Sequence, residues 1–356
     1  MSTPTHSMRE RAEQYFTALQ QNIVVALQKL DPEAPPPRRD EWSRPQGGGG
    51  TTCVFAGLTL SPSENGSIFE KAGISTSVVH SVLSPAAARH MGVTHPSIPK
   101  DPSIGLPMYT TGISVVVHAR NPHAPSIHMH YRYVEVLSAS QIESPEHGHA
   151  DEKTVLAWWF GGGTDLTPTY LYEEDAHHFH KTLKSVCDAH GGTTLYPACK
   201  QWCDEFFYIP HRQEHRGVGG IFFRGLSDAT HARLDADPAL SHSRPRTQDT
   251  VFAFIQALAD GFLPSYLPIL ERRMRMQSDV RALRWQGLRR GRYVEFNLVC
   301  EPGTKFGLST PGVRVESVLM TIPETARWEY MSEMGSDEGS EEGKTIQVLK
   351  HPREWV

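Results

Sequence analysis

The sequence predicts an α+β fold built on a largely antiparallel sheet. Runs rich in β-branched residues follow one another through the middle of the chain before helical patterns intervene. A hydrophobic fraction of 38% in 356 residues is enough for a substantial core. We expect strands at 113–119, 127–137, 155–160, 218–223, 293–299 and 313–322, and helices at 168–190, 195–207 and 247–275.

Two low-complexity patches flank this region. The first spans Asp31 to Gly50, where APPPRR and the tetraglycine Gly47 to Gly50 predict an extended and then flexible connection. It follows an expected N-terminal amphipathic helix, and the two together make up residues 1–50. The second is the acidic SDEGSEEG, residues 336–343, which predicts a mobile loop. Neither patch needs to divide the chain, so we predict a single domain over 1–356.

Net charge and cysteine spacing argue against nucleic-acid binding and against a cysteine-based metal or redox site. The formal net charge of −5 gives the chain no long-range attraction for nucleic acid. Arginine is dense from 271 to 292, which predicts a solvated helix face or a subunit contact. The five cysteines lack Cys-x-x-Cys spacing, and this indicates reduced core thiols.

We expect neither a membrane span nor a targeting segment. The longest apolar candidate, 251–270, is interrupted by Asp260, Gly261, Pro264 and Pro268. The N-terminus carries acidic residues and no apolar segment of the secretory kind. The protein is therefore expected to be cytoplasmic.

Polar side chains alternate with apolar ones along two neighbouring predicted strands, ISVVVHAR and SIHMHYRYVEV. The NPHAP turn between the strands favours a hairpin. If the two polar faces coincide, they suit a polyanionic ligand; the alternative is the solvated side of an antiparallel pair. The two faces comprise Ser114, His118 and Arg120 in the first strand, and His128, His130 and Arg132 in the second.

Two other segments concentrate reactive side chains. Asp165 lies in GGGTDLTP, where a glycine turn is expected to connect a Trp-rich strand to a helix beginning near Pro168. Such glycines let a bulky ligand approach the backbone, although Asp165 as a helix cap is the alternative. Arg216 lies beside glycines in YIPHRQEHRGVGG and suits carboxylate recognition, unless this segment is a basic surface turn.

Taken together, these segments resemble the oxygen-dependent coproporphyrinogen III oxidase family. The resemblance implies a flat antiparallel sheet with helices on both faces, and a homodimer whose contact we expect in region 293–329. It implies conversion of two propionates of coproporphyrinogen III to vinyl groups in haem biosynthesis. The products are protoporphyrinogen IX, carbon dioxide and hydrogen peroxide, and molecular oxygen is used without an organic cofactor. The matching stretches include IFEKAGISTSVVH, SVVVHARNP, WWFGGGTDLTP, YEEDAHHFHKT, YLPILERR and GRYVEFNLV.

The resemblance also implies roles for individual residues. His128 would be the proton donor, Asp165 would accept hydrogen bonds from pyrrole N–H groups, and Arg216 would orient carboxylates. The implied substrate contacts are Ser114, His130, Tyr131, Arg132, Gly312 and Arg314, the last two in a stretch from Pro311 that closes the site. The histidines that match discussed metal ligands are His118, His128, His180 and His211. Their spacing is not that of a metal site, so a divalent metal stays an alternative.

Three departures from the family pattern affect local contacts. His130 stands where asparagine is usual, Arg224-Gly225 replaces an acidic pair, and TPGVR is one residue longer than usual. We expect His130 to shift the pH dependence near its ordinary pKa of about 6.5. Two rival functions remain: a histidine-ligated metal oxygenase, which chelation would inactivate, and a tetrapyrrole carrier, which would bind without turnover.

Overall fold

The computed structural model describes residues 6–309 and 314–356, except residues 33, 46, 57–66, 94, 100–101 and 139–153 and the side chain of Phe306. Its strands are β1 (Arg38–Ser43), β2 (Gly48–Ala56), β3 (Phe69–Leu83), β4 (Leu106–Ala119), β5 (Ser126–Leu137), β6 (Val155–Thr167), β7 (Tyr208–Ile209), β8 (Glu214–His215) and β9 (Gly220–Leu226). Seven of them form one sheet in the order β1-β2-β3-β4-β5-β6-β9, and every neighbouring pair is antiparallel. The predicted α+β class is confirmed.

Helices occupy the two ends of the chain and most of its second half. They are α1 (Met8–Leu30), α2 (Pro85–Met91), α3 (Glu173–Gly191), α4 (Leu195–Phe206), α5 (Pro238–Ser243), α6 (Gln248–Asp260), α7 (Phe262–Arg273), α8 (Val280–Glu295), α9 (Pro302–Ser309), α10 (Val315–Leu319) and α11 (Glu341–Lys350). A 3-10 turn spans Leu234–Ala236, and a π-helical turn, Phe296–Cys300, follows α8 directly.

The sheet is covered by helices on both faces. On one face α1, α3, α6 and α7 bury their apolar sides against Val115, Met129 and Tyr131 in the main core. On the other face Arg290 of α8 pairs with Glu70 of β3, and Lys71 donates to the carbonyl of Leu319 at the end of α10. The second face is the one that carries the candidate site.

The register of the central strands brings the two predicted polar faces together. Ser114 lies opposite His130, and Val116 lies opposite His128, in the antiparallel pair of β4 and β5. Because side chains alternate along a strand, Ser114, His128, His130 and Arg132 share one face. This face is covered by the helical layer and is not the solvated side of a hairpin.

The strands predicted at 293–299 and 313–322 are wrong. Tyr293 lies in α8, residues 296–300 form the π-helical turn, and Val315–Leu319 is helical. The β-branched and aromatic composition of the first segment misled the prediction, because tertiary packing outweighs strand propensity here. Tyr293 and Phe296 are buried within the helical layer.

The glycines before Asp165 do not form a turn. Gly161, Gly162 and Gly163 lie inside β6, and α3 begins only at Glu173, not near Pro168. A Cβ on Gly162 would lie 2.2 Å from the carbonyl oxygen of His130. The strand therefore needs glycine because neighbouring backbone approaches closely, and this reason differs from the predicted one.

Parts of both low-complexity patches form regular secondary structure. Residues 38–43 and 48–56 form the paired strands β1 and β2, and Gly48 has the positive φ of 91° that suits the connecting turn. In the acidic patch, Ser340 caps α11, whose first residues are Glu341 and Glu342. Gly48 to Gly50 therefore lie in a strand, and the last three residues of the acidic patch lie in a helix. The mobility expected of the two patches stays a prediction.

The arginine-rich segment stabilises the fold through ion pairs. The predicted solvated helix face holds for part of this segment: Arg281 and Arg284 are exposed, whereas Arg289 and Arg290 are buried with their partners. The ion pairs join α8 to distant strands, loops and α11. They are Arg281 with Glu342, Arg284 with Glu329, Arg289 and Arg292 with Glu214, and Arg290 with Glu70.

Over the described residues, one stretch, Gln248–Arg273, is long and apolar enough to cross a membrane. The most apolar part of this stretch is 56% buried inside the protein, as in a core helix. It comprises α6 and α7, and Phe254, Leu258 and Phe262 pack in the main core. This stretch is weak evidence for a membrane span.

Candidate active site

A cavity of about 600 Å³ opens between the polar face of the sheet and the helical layer of α8, α9 and α10. Strands β4, β5 and β6 form its floor, and residues after α8 form part of its wall. A cavity of this size, with apolar walls and a few polar groups, is typical of a small-molecule site. Its charged or imidazole-bearing lining residues are His128, His130, Arg132, Arg216, Arg224 and Glu301.

A buried cluster of three side chains lies at one end of this cavity. Asp165 lies opposite His128 in the pair of β5 and β6, and their side chains approach because of that register. His128 Nδ1 is 2.9 Å from Asp165 Oδ1. Arg216 donates to both carboxylate oxygens of Asp165, at 2.8 and 2.7 Å.

Burial and the neighbouring positive charge have opposite effects on the pKa of Asp165. Asp165 is 2% exposed, and burial alone would raise the pKa of its carboxyl group. The Arg216 guanidinium and the hydrogen bond from His128 outweigh that effect, so the pKa of Asp165 lies below its usual value. Because the carboxylate is ionised and only accepts, His128 donates through Nδ1–H and keeps Nε2 for a ligand.

Aromatic rings hold the Arg216 guanidinium in place. Its central carbon lies 4.0 Å from the Phe207 ring centroid, 4.6 Å from that of Tyr293 and 4.9 Å from that of Phe296. These rings provide cation–π contacts to a charge that is only 1% exposed. Arg216 is thus a fixed counter-charge for Asp165, and the alternative of a surface basic turn is excluded for this residue.

The basic segment 208–220 contains residues at the surface as well as the buried Arg216. His211 and Arg212 both bind Glu295 at the surface, whereas His215 binds the carbonyl of Leu349. After Arg216, Val218 N–H donates to the carbonyl of Leu166, which fixes the loop to β6. Only Arg216 of this segment reaches the cavity.

The glycines of β6 give a matched pair of substitutions. A Cβ on Gly163 would lie 2.5 Å from the backbone oxygen of Ile221, whereas a Cβ on Gly161 meets nothing closer than 3.4 Å. We expect Gly163→Ala to lower the free energy of unfolding by about 1–3 kcal/mol, as overpacking does, and Gly161→Ala to leave it almost unchanged. Urea unfolding of both variants measures this difference, and equal stabilities would contradict the prediction.

Three of the predicted substrate contacts line the cavity, two do not, and one lies outside the described residues. Ser114, His130 and Arg132 line it. Tyr131 points to the opposite face, where its hydroxyl binds Thr164 at 2.8 Å, so its predicted role is corrected on the basis of strand alternation. Arg314 pairs with Asp40 and does not line the cavity, whereas Gly312 and its neighbours from 310 to 313 lie outside the described residues.

The expected titration of His130 near pH 6.5 is also corrected. Burial and the neighbouring guanidinium of Arg132 hold the pKa of His130 well below 6.5. Its Nδ1 is buried without a hydrogen-bond partner among the described residues. His130 is therefore neutral at physiological pH, and one of its ring nitrogens has no protein partner among the described residues.

The four candidate metal ligands are not brought together. His118 binds Ser126 and the Thr321 carbonyl, His180 binds Tyr196 and the Val218 carbonyl, and His211 lies at the surface on Glu295. Burial lowers the pKa of both His118 and His180 to about 3, so both rings are neutral. Within the ranges that the structure describes, no group of three or more metal-ligating side chains forms, and this residue set does not fit a metal centre.

The aromatic wall of the cavity was not predicted from the sequence. Phe206 and Phe222 stack in parallel with centroids 4.1 Å apart, and Phe207 joins them at the cavity. Trp159 forms another part of the wall and stacks on His95. The one sequence signal for this wall is the alternation of side chains along the strand WWFGGG. Trp158 packs on the core side of the sheet, and Trp159 lies on the cavity side.

Comparison with known proteins identifies relatives over almost the entire chain. A model of the family described as coproporphyrinogen III oxidase matches residues 11–355. The chain is 44% identical to the oxygen-dependent coproporphyrinogen-III oxidase of Drosophila melanogaster over 98% of its own length and 79% of the relative's. Identity is 44% to the human mitochondrial protein of that name and 41% to the chloroplastic one of Glycine max, over 67% and 80% of those chains.

These names correct the predicted location. The human protein is named mitochondrial and the soybean protein chloroplastic, which contradicts a cytoplasmic assignment. The prediction used reduced thiols and the lack of a recognisable targeting segment or membrane span. These features do not distinguish the cytoplasm from a mitochondrion or a chloroplast.

Proposed function

The chain belongs to the coproporphyrinogen III oxidase family, and on that premise we propose how its cavity carries out the reaction. The reaction is the oxygen-dependent oxidative decarboxylation of two propionates of coproporphyrinogen III, which gives protoporphyrinogen IX in haem biosynthesis. The observation that supports our proposal for the site is the buried cluster of Asp165, His128 and Arg216 beside a cavity of about 600 Å³.

The stoichiometry of each step requires one proton from outside the reacting propionate. The anion –CH2–CH2–COO⁻ becomes –CH=CH2 and releases carbon dioxide together with one proton and two electrons. Dioxygen accepts the two electrons, and hydrogen peroxide forms only when a second proton is added. A positioned proton donor near the propionate therefore assists the reaction.

We propose that His128 supplies this proton from Nε2. Its Nδ1–H donates to Asp165, so the carboxylate orients the ring and stabilises the imidazolium form. Arg216 keeps Asp165 ionised and fixes its position. Because Asp165 is only 2% exposed, we propose that it orients His128 and does not contact the pyrrole N–H groups directly.

The electrons come from the electron-rich tetrapyrrole itself, and we propose that no organic cofactor is needed. The test is incubation of the purified protein with coproporphyrinogen III, with and without oxygen and with and without a chelator. We expect protoporphyrinogen and carbon dioxide only with oxygen, and equally with chelator. Loss of product in chelator would support a metal oxygenase, and binding without product would support a carrier.

We also propose that the protein is a homodimer, although the strand expected at 293–299, within the predicted contact region 293–329, is helical. Large apolar side chains are exposed within 298–331, including Trp328, Tyr330 and Met331, and Tyr330 is 97% exposed. We expect Tyr330→Asp to shift the protein toward monomers in analytical ultracentrifugation without unfolding it. Val93→Asp, at a separate exposed site, is the control. An unchanged dimer in the Tyr330 variant would contradict this surface as the contact.

A further inference from the structure

Two arginines in the cavity differ from most other arginines of the described chain in having no ion-pair partner. Most of those form ion pairs with carboxylates, as Arg216 does with Asp165 and Arg290 with Glu70. Arg132 and Arg224 line the cavity, and neither forms an ion pair with any residue that the structure describes. Both are exposed to solvent there. An unpaired guanidinium inside a cavity indicates an anionic ligand.

The position of Arg224 is set by a β-bulge. Phe223 pairs with Gly162 and Leu226 with Phe160, so Arg224 and Gly225 together face the single residue Gly161. Gly225 has a φ of 69°, which a side-chain-bearing residue rarely adopts. Bulges of this kind redirect a side chain, and here the redirected side chain reaches the cavity.

Aromatic rings support the Arg224 guanidinium where it could receive a ligand. Its central carbon lies 4.7 Å from the Phe206 ring centroid and 5.0 Å from that of Phe222. Stacking leaves the edge of the guanidinium, which carries its N–H donors, open to a carboxylate. The contact thus orients the group without using its hydrogen-bonding capacity.

Arg132 presents the second guanidinium. It lies between Gly112 of β4 and Gly161 of β6 in the sheet register, so no side chain flanks it on either neighbouring strand. The Glu301 carboxylate interacts electrostatically with both arginines. It does not pair with either of them, because it accepts hydrogen bonds from the backbone N–H groups of Gly303 and Thr304 at the start of α9. The two guanidiniums therefore keep a surplus of positive charge.

These two arginines lie well away from the proposed proton donor. His128 and Arg132 are four residues apart on β5, which corresponds to about 13 Å along the strand. A tetrapyrrole with carboxylates around its edge can reach both ends of the cavity at once. A carboxylate bound at one end would place another near His128.

We propose that Arg224, together with Arg132, clamps a non-reacting propionate carboxylate of the tetrapyrrole, so that Arg224 is a substrate-binding residue. This inference rests on the proposed function for the identity of the ligand. The clamp contributes equally to binding of the substrate and of the transition state, because the carboxylate that it holds does not change during the reaction.

Equilibrium binding of coproporphyrin and of its tetramethyl ester, measured by fluorescence, tests the clamp without needing turnover. We expect Arg224→Ala to weaken binding of the tetracarboxylate at least about tenfold, as loss of a charged hydrogen bond does, and to leave binding of the ester unchanged. Arg224→Lys should restore part of the loss. The control is Arg233→Ala, because Arg233 also stacks on an aromatic ring, Trp202, but pairs with Glu205 outside the cavity lining.

Kinetics separate this proposal from the proposed function. In Arg224→Ala we expect the KM for coproporphyrinogen III to rise about as much as the dissociation constant, with kcat almost unchanged. Equal loss of affinity for acid and ester, or unchanged affinity for both, would overturn the clamp. A wild-type protein that binds coproporphyrin through Arg224 but forms no product would instead contradict the proposed function.

Discussion

Replacement of Asp165 by asparagine is expected to lower kcat by about three to four orders of magnitude, in line with loss of the orienting carboxylate in other histidine-based sites. Asparagine cannot stabilise a protonated His128, and its amide group can hold the ring with the wrong nitrogen protonated. Binding of the substrate should change little, because Asp165 is buried behind His128. Turnover and anaerobic binding, measured on the same preparation, provide the test.

The same substitution should also lower stability. It leaves the guanidinium of Arg216 buried without its counter-charge, and breaking such a pair costs about 3–5 kcal/mol. Asp235→Asn is the control, because Asp235 accepts from Arg244 and Arg246 in a second ion-pair cluster outside the cavity lining. The control should lose stability but keep turnover per folded molecule. Turnover of Asp165→Asn within tenfold of wild type would contradict the account.

Replacement of His128 by asparagine separates the orientation of this side chain from proton donation. The asparagine amide nitrogen takes nearly the position of Nδ1 and can still donate to Asp165, but nothing replaces Nε2. We therefore expect kcat to fall by about 100-fold to 10,000-fold, the usual contribution of a general acid. The KM should stay within a few-fold of the wild-type value.

His215→Asn is the matched control for this variant. His215 also uses its Nδ1, in this case toward the carbonyl of Leu349, and it does not line the cavity. Its replacement should leave kcat close to that of wild type. If His128→Asn and His215→Asn had the same kcat, another group would have to supply the proton.

The central strands and their faces were predictable from sequence because their signals are local. Alternation in 113–119 and 127–137 predicted which side chains share a face, and the short loop between the strands set their pairing. The same rule excludes Tyr131 from the site. Tyr131 was included only because the resemblance covered the continuous stretch from His130 to Arg132.

The parts that the sequence did not predict depend on contacts between distant segments. The rings around Arg216 come from Phe207, Tyr293 and Phe296, which no sequence pattern links. The helical state of 293–300 has the same origin, since burial against the sheet and α4 outweighed its strand propensity. Arg224 was noticed only as a departure from a family pattern, and its bulge depends on pairing with β6.

Histidine content was a poor guide to a metal site. His118, His180 and His211 each bind nearby protein groups, and two of the three are buried and neutral. Spacing along the chain gave no information about these separate environments. Of these four histidines, only His128 lines the cavity, and its carboxylate partner, Asp165, is buried behind it.

The most direct test of the account is a single experiment in which binding and turnover are separated in time. Coproporphyrinogen III is bound to the chelator-treated wild-type protein without oxygen, and oxygen is then admitted. We expect no carbon dioxide before oxygen is admitted, and afterwards two molecules of carbon dioxide and two of hydrogen peroxide per substrate. Carbon dioxide released in the absence of oxygen, or a bound substrate that stays intact after oxygen is admitted, would contradict it.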